Sequence, residues 1–120
     1  VEEPDLGSVD VVSEGRRIRN APAFAPEGTN VDFVHWTSPH AVAIRTYERG
    51  VEAESFACGT GAVAAALVGI ANGNGAFPVE VRTVRGDTLV VDGTYAADDF
   101  SNITLTGPVQ RVFDGMWTVP

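Results

Sequence analysis

The sequence predicts an α+β domain in which several short strands surround one apolar helix, and three observations carry that expectation. From Ala62 to Ala71 there is no charged residue and no amphipathic stripe, because Ala62, Val63, Ala64, Ala65, Ala66, Leu67, Val68 and Ile70 fall on every side of a helix. Such a helix is expected to be buried all round. Period-two alternation in stretches such as Val79-Glu80-Val81-Arg82 marks strands with one buried face. Finally, 120 residues suffice for one core and not for two.

Taken in order, Val1 to Asp5 reads as the end of a unit already under way. Val9 to Arg19 is expected to be a helix, with Ser8 as its cap, Arg16, Arg17 and Arg19 solvated near its C-terminal end, and Gly15 as a weak point. Two prolines make Ala21 to Pro26 a loop. Gly28-Thr29-Asn30 then enters a strand, Val31 to Trp36, where a loop meeting a strand can present Asn30 as a fixed polar contact or simply as a turn residue. Alternation turns Asp32 and Val34 away from Val31 and Phe33. Ser38-Pro39-His40 forms a hairpin turn into the strand Val42 to Glu48, and Asn72-Gly73-Asn74-Gly75 stops the apolar helix. Beyond it the expected strands are Val79–Thr83, Thr88–Asp92, Ile103–Thr106 and Val109–Phe113, with Gly93 to Ser101 a loop whose Asp98-Asp99 pair is solvated.

Charge narrows the function. Eight basic against sixteen acidic residues give a net charge of −8, which argues against nucleic acid and anionic membrane as partners, since both call for a basic footprint. Mean hydropathy is +0.05, an ordinary value for a water-soluble chain. One cysteine cannot form an internal disulfide, and no apolar run approaches the ~20 residues of a membrane span, so the expected location is cytoplasmic. His35 and His40 are too few and too poorly spaced for a metal site.

The chemistry concentrates between Tyr47 and Ala62. A polar strand end, Tyr47-Glu48-Arg49, turns at Gly50; Cys58 follows, and Gly59-Thr60-Gly61 opens the apolar helix. The first helical turn has backbone N–H groups without intrahelical partners and carries roughly half a positive charge. Glycines there let an anion reach the backbone, so Gly59-Thr60-Gly61 is a candidate carboxylate or phosphate cradle. A thiol at such a point has its thiolate stabilised, which makes Cys58 a candidate nucleophile or base. The competing reading is an inert core cysteine before a glycine-padded helix start. Likewise, Glu48 and Arg49 read as site residues or as an exposed ion pair on a strand end.

Glu48-Arg49-Gly50 with Ala57-Cys58-Gly59-Thr60-Gly61-Ala62, preceded by Gly28-Thr29-Asn30-Val31 and joined by Arg45-Thr46-Tyr47, resembles the diaminopimelate epimerase family. The likeness runs from about Val1 to Met116 and covers only part of that family's second domain. It implies a mixed β-barrel-like sheet wrapped around a buried central helix, one of two domains, with residues 1–120 forming a partial C-terminal domain. The family's Gly-Asn-Pro-His strand, expected just before Val1, is missing, as is the N-terminal domain. The implied activity is cofactor-independent interconversion of LL- and meso-diaminopimelate by two cysteines, in lysine and peptidoglycan-precursor biosynthesis. Cys58 would be one of that pair. Gly59 and Thr60 would hold the α-carboxylate, Glu48 would meet the substrate ammonium or poise a proton, and Arg49 with Asn30 would grip the distal carboxylate. With one cysteine, the chain alone is expected to be inactive. A departure is Asp32, which stands where the family commonly has a second Asn.

Three other readings compete. A proline racemase or hydroxyproline epimerase type of isomerase shares the cysteine-led helix, though the Glu48-Arg49-Gly50 and Gly28-Thr29-Asn30 motifs favour a substrate with two charged ends. A cysteine hydrolase would need His35 or His40 as partner. The third is a non-catalytic ligand-binding or dimerisation half-domain, and an open strand edge near Val1 would favour a homodimer. The glycines lack the lysine and spacing of a P-loop.

Overall fold

The computed structural model describes residues 1–119. The architecture is mixed α+β: one six-stranded sheet and two α-helices. Strand β1 (Val31–Ser38) and strand β2 (Ala41–Glu48) form the antiparallel hairpin predicted around Ser38-Pro39-His40, in register from Val31 opposite Tyr47. On its other edge β2 takes two partners. Strand β3 (Ala53–Ser55) pairs antiparallel with Thr46 to Glu48, and β4 (Val79–Arg82) pairs parallel with Ala41 to Ala43. The long connection that a parallel pairing requires is supplied by β3 and helix α2 (Gly59–Ala71). Strands β5 (Thr88–Ala96) and β6 (Asp99–Thr106) complete the order β1-β2-β4-β5-β6, and the sheet does not close.

Instead of the single core expected for 120 residues, two hydrophobic cores lie on opposite faces of the sheet, because the alternation of β1 and β2 sends apolar side chains to both sides. Val31, Phe33 and Tyr47 pack with Val11 of helix α1 (Val11–Arg19). Val42 and Ile44 pack with Ala62, Ala66, Ile70, Val79, Val81 and Val91 beneath α2, and Val34 and Trp36 join that side. Asp32 and Val34 therefore do turn away from Val31 and Phe33.

Several expectations need correcting. Helix α2 is not buried all round: Gly61, Ala62, Ala66, Gly69 and Ile70 face the sheet, while Ala64, Val68 and Ala71 form an exposed apolar row, Val68 at 60%. From Gly61 onward the helix has no polar residue to mark which side is covered. Helix α1 starts at Val11, capped by Asp10, whose Oδ1 accepts the Ser13 N–H at 3.0 Å. Ser8 belongs instead to a short 3₁₀ turn, Leu6–Ser8, and donates to the Asp5 carbonyl. Gly15 is a packing requirement and not a weakness, since a Cβ there would lie 2.3 Å from Tyr47 Cβ. The basic end of α1 is only partly solvated: Arg17 pairs with Glu14, and Arg19, 21% exposed, with Glu52.

Past Arg82, Gly93 does not end a strand. It sits at an irregularity between Asp92 and Thr94, where a Cβ would meet Ile103 Cδ1 at 2.5 Å, and β5 runs on to Ala96. The turn is Ala97-Asp98, with φ of 51° and 60°, the left-handed pair of a tight hairpin. Tyr95 stacks on Phe100 across it, and the Tyr95 hydroxyl donates to Asp98. Val109–Phe113 is no strand; Val109, Val112 and Phe113 are 80–97% exposed and find no sheet partner among the described residues. At the other end, Val1 to Glu3 runs parallel along the outer edge of β1, bonded to both backbone groups of Val34.

Candidate active site

The hairpin β1–β2, the turn into β3 and the start of α2 converge on Cys58. Strand β2 ends at Glu48, Gly50 takes φ +91° to reverse the chain, and β3 returns it. β3 is pinned by a bidentate ion pair, Arg45 Nε and Nη2 to the Glu54 carboxylate at 2.7 and 2.8 Å. Ser55 to Ala57 then delivers Cys58 as the N-cap of α2, with extended backbone and no side-chain cap.

Ala62 closes the first intrahelical bond onto the Cys58 carbonyl at 2.9 Å, so the amides of Gly59, Thr60 and Gly61 lack intrahelical acceptors. There is no acidic residue in that turn. Its free amides stand at the positive end of the helix. Cys58 is half-buried; its Sγ lies 3.4 Å from Thr60 Oγ1 and 3.9 Å from Asn30 Nδ2.

Asn30 joins the motifs. Its Nδ2 points at the thiol while its Oδ1 accepts the Arg49 N–H at 2.9 Å. Arg49 is exposed and reaches the Glu27 carbonyl through Nη1 at 3.1 Å, leaving most of its guanidinium donors free. Glu48 is half-buried, and among the described residues its carboxylate takes no hydrogen-bond partner. The two are not an ion pair with each other. Asn30, Glu48, Arg49, Cys58, Gly59 and Thr60 thus share one corner of the fold. His35 and His40 are engaged elsewhere, by the Glu3 and Pro78 carbonyls at 3.0 Å each, and neither hydrogen-bonds to Cys58. No group of His, Cys, Asp or Glu that could hold a metal occurs among the described residues.

Two acidic residues lie near this corner: Asp32, which the sequence marks only as a departure from the family pattern, and Glu52, which no motif marks. Asp32 lies under the first turn of α2, its carboxylate 2.8 Å from where a Gly61 Cβ would stand, with the Thr46 hydroxyl donating at 2.6 Å. Burial pushes the Asp32 carboxyl up from its ordinary value, against that hydrogen bond and the Val1 ammonium. Glu52 ties the β2–β3 turn to α1: Oε1 accepts from Arg19 Nε and Gly50 N, and Oε2 from the Tyr47 hydroxyl. The Gly50 amide foremost, then the Tyr47 hydroxyl and Arg19, hold Glu52 below the usual carboxylate range. Nothing in the spacing around Glu52 announces this role. A cleft of about 370 Å³ lies elsewhere, on the far flank of α2 between Val34, Trp36, Ala65 and Val68.

A thiol at the uncapped start of a helix thus stands beside an amide donor and a carboxylate–guanidinium turn. Comparison with known proteins gives the family. The profile for "Diaminopimelate epimerase" matches residues 1–112. A diaminopimelate epimerase of Aquifex aeolicus (strain VF5) is 45% identical over 112 residues, covering 92% of this chain and 39% of that protein. One from Chlorobaculum tepidum is 43% identical over 116 residues, 96% of this chain and 44% of that protein. A third, from Flavobacterium psychrophilum, is 42% identical over 110 residues, 92% and 43% respectively. The chain belongs to the diaminopimelate epimerase family, and it spans about two fifths of the length of these curated relatives. Among the described residues no helix is long and apolar enough to cross a membrane.

Proposed function

We propose that this chain carries one half of the active site of a cofactor-independent isomerase that interconverts LL- and meso-diaminopimelate, a step toward lysine and peptidoglycan precursors. The observation that carries the proposal is the position of Asn30, which touches the Cys58 thiol with one end and the Arg49 amide with the other. Inverting an α-carbon requires a base on one face, an acid on the other and stabilisation of the carbanion between them. Cys58 supplies one of those groups, taking or giving the α-proton as thiolate or thiol; a second cysteine, from a domain outside these residues, supplies the other. The free amides of Gly59 and Thr60 receive the α-carboxylate, and the unpartnered Glu48 carboxylate meets the substrate ammonium. Arg49, with the Nδ2 of Asn30, takes the distal carboxylate. Family likeness further supports reading residues 1–120 as part of a C-terminal domain whose open sheet belongs to a barrel, with the exposed row Ala64, Val68 and Ala71 covered on closure. A cytoplasmic location accords with this metabolism, and homodimerisation through the sheet edge is the alternative arrangement.

Incubation with diaminopimelate in heavy water tests the reading. The 120 residues alone should incorporate no α-deuterium. Joined to a complementary half in one polypeptide, they should interconvert the stereoisomers, and Cys58→Ala should lower that rate by at least about 10³-fold. Activity that survives Cys58→Ala, or a preference for proline, would sink the assignment.

A further inference from the structure

Glu52 has features that an exposed turn residue does not need. Its backbone is left-handed, φ +59°, a conformation that side chains other than glycine, Asn or Asp seldom adopt. Its N–H donates to the Glu48 carbonyl at 2.8 Å. Its carboxylate receives three donors from three places: Arg19 Nε at 2.8 Å from the end of α1, the Tyr47 hydroxyl at 3.0 Å from β2, and the Gly50 amide at 3.1 Å from the turn itself. Tyr47 is fully buried, so one of these anchors belongs to the core under α1. Arg19 also fills the space beside Gly28, where a Cβ would stand 2.7 Å from its Nη1, and so borders the loop that leads to Asn30. Glu52 therefore connects, directly or through Arg19, both limbs that meet at the Asn30–Arg49 hydrogen bond.

We propose that Glu52 is a positioning residue, fixing the β2–β3 turn so that Glu48 and Arg49 are presented at a constant distance from Asn30 and Cys58. The inference rests on the functional reading above for its meaning, but not for its geometry. An exposed ion pair such as Arg19–Glu52 contributes little by itself. The other two donors make the difference, because a buried hydroxyl and a turn amide each lose a defined partner when the carboxylate is removed.

Backbone amide exchange by NMR on the whole chain tests this without any substrate. Glu52→Gly removes the carboxylate yet relieves the left-handed backbone, so it separates the two ways the residue could hold the turn. The Arg49 and Gly50 amides should then exchange roughly tenfold faster, with the amides of β2 unchanged. Glu52→Gln keeps an oxygen for Gly50 and Arg19 and turns its amide to the Tyr47 oxygen, so it should restore protection to within about threefold. Should Glu52→Gly not fold, Tyr47→Phe, which removes only the hydroxyl, should speed the same two amides about threefold. Unchanged Arg49 exchange, or an equal acceleration throughout β2, would overturn the proposal. Failure of the isomerase reading would instead appear as absent turnover by the polypeptide joined to its complementary half, with these exchange patterns intact.

Discussion

The two helices solve the same docking problem on opposite faces of the sheet, with different tolerances. Each approaches through a glycine set against an aromatic ring: Gly15 of α1 on Tyr47, Gly69 of α2 on Trp36. A Cβ at Gly69 would come closer, 2.0 Å from Trp36 Cζ2, than one at Gly15, 2.3 Å from Tyr47 Cβ. Yet Tyr47 is fully buried and the clash falls on its Cβ, fixed to the strand. At Trp36 the clash falls on the ring's outer atoms, beside a cleft of about 370 Å³. The helices also end differently. α1 is capped by Asp10 at its start and closed by the Asn20 amide side chain on the Arg16 carbonyl, whereas α2 leaves its first turn without a side-chain cap. One helix is closed at both ends by side chains; the other begins with its first-turn amides uncapped.

The largest expected effect separates the two docking contacts. Gly15→Ala should destabilise by about 3 kcal/mol despite the better helix propensity of alanine, because the strand itself must move. Gly69→Ala should cost no more than about 1 kcal/mol, the indole swinging toward the cleft. Urea unfolding of both variants decides, and equal losses would break the contrast.

Next is the carboxylate beneath α2. The folded Asp32 lies above its unfolded value, so the folded state holds the proton more tightly. Its ionisation therefore costs stability as pH rises through the window from the unfolded to the folded value, and that cost persists at neutral pH. Asp32→Asn should stabilise the chain by about 1 kcal/mol at pH 7, with the advantage vanishing in acid below the normal carboxylate range. A variant less stable than the parent at pH 7 would show that the charge is favourable where it lies.

The smallest effect is the opposite sign on the other face. The Ser13 amide holds Asp10 below its ordinary value, so its contribution is complete above the unfolded carboxylate value and fades as pH falls through the folded one. Glu52, held low by the Gly50 amide, acts in the same sense. Acid should loosen α1 while relieving α2. Asn also caps well, so Asp10→Asn should flatten the pH dependence of amide exchange in α1 with little change at neutrality.

What could be read in advance follows the range of the interaction responsible. The β1–β2 hairpin, the stop at Asn72-Gly73 and the cysteine–glycine start of α2 rest on neighbours within a few residues, and they stand where the sequence put them. β3 went unseen because three residues carry no period, and its existence depends on Thr46–Glu48 offering an edge. Val109–Phe113 shows the reverse: a strand-like stretch of sequence without a partner. Gly93, which by sequence opens a loop running to Ser101, instead lies within β5 and makes room for Ile103 across the hairpin.

The sequence alone determined the α+β class of fold and the net charge of −8, and its resemblance to a family singled out Asn30, Glu48, Arg49, Cys58, Gly59 and Thr60 as candidate site residues, since motifs and helix-end electrostatics are local properties. Only the tertiary structure decided which side of α2 is covered, that Asn30 bridges Cys58 and Arg49, and that Asp32 and Glu52 stand behind the site. The physical reason is separation along the chain: Arg19 and Glu52, or Asp32 and Gly61, become neighbours only when the sheet brings distant segments together. A carboxylate takes its role from the donors it then meets.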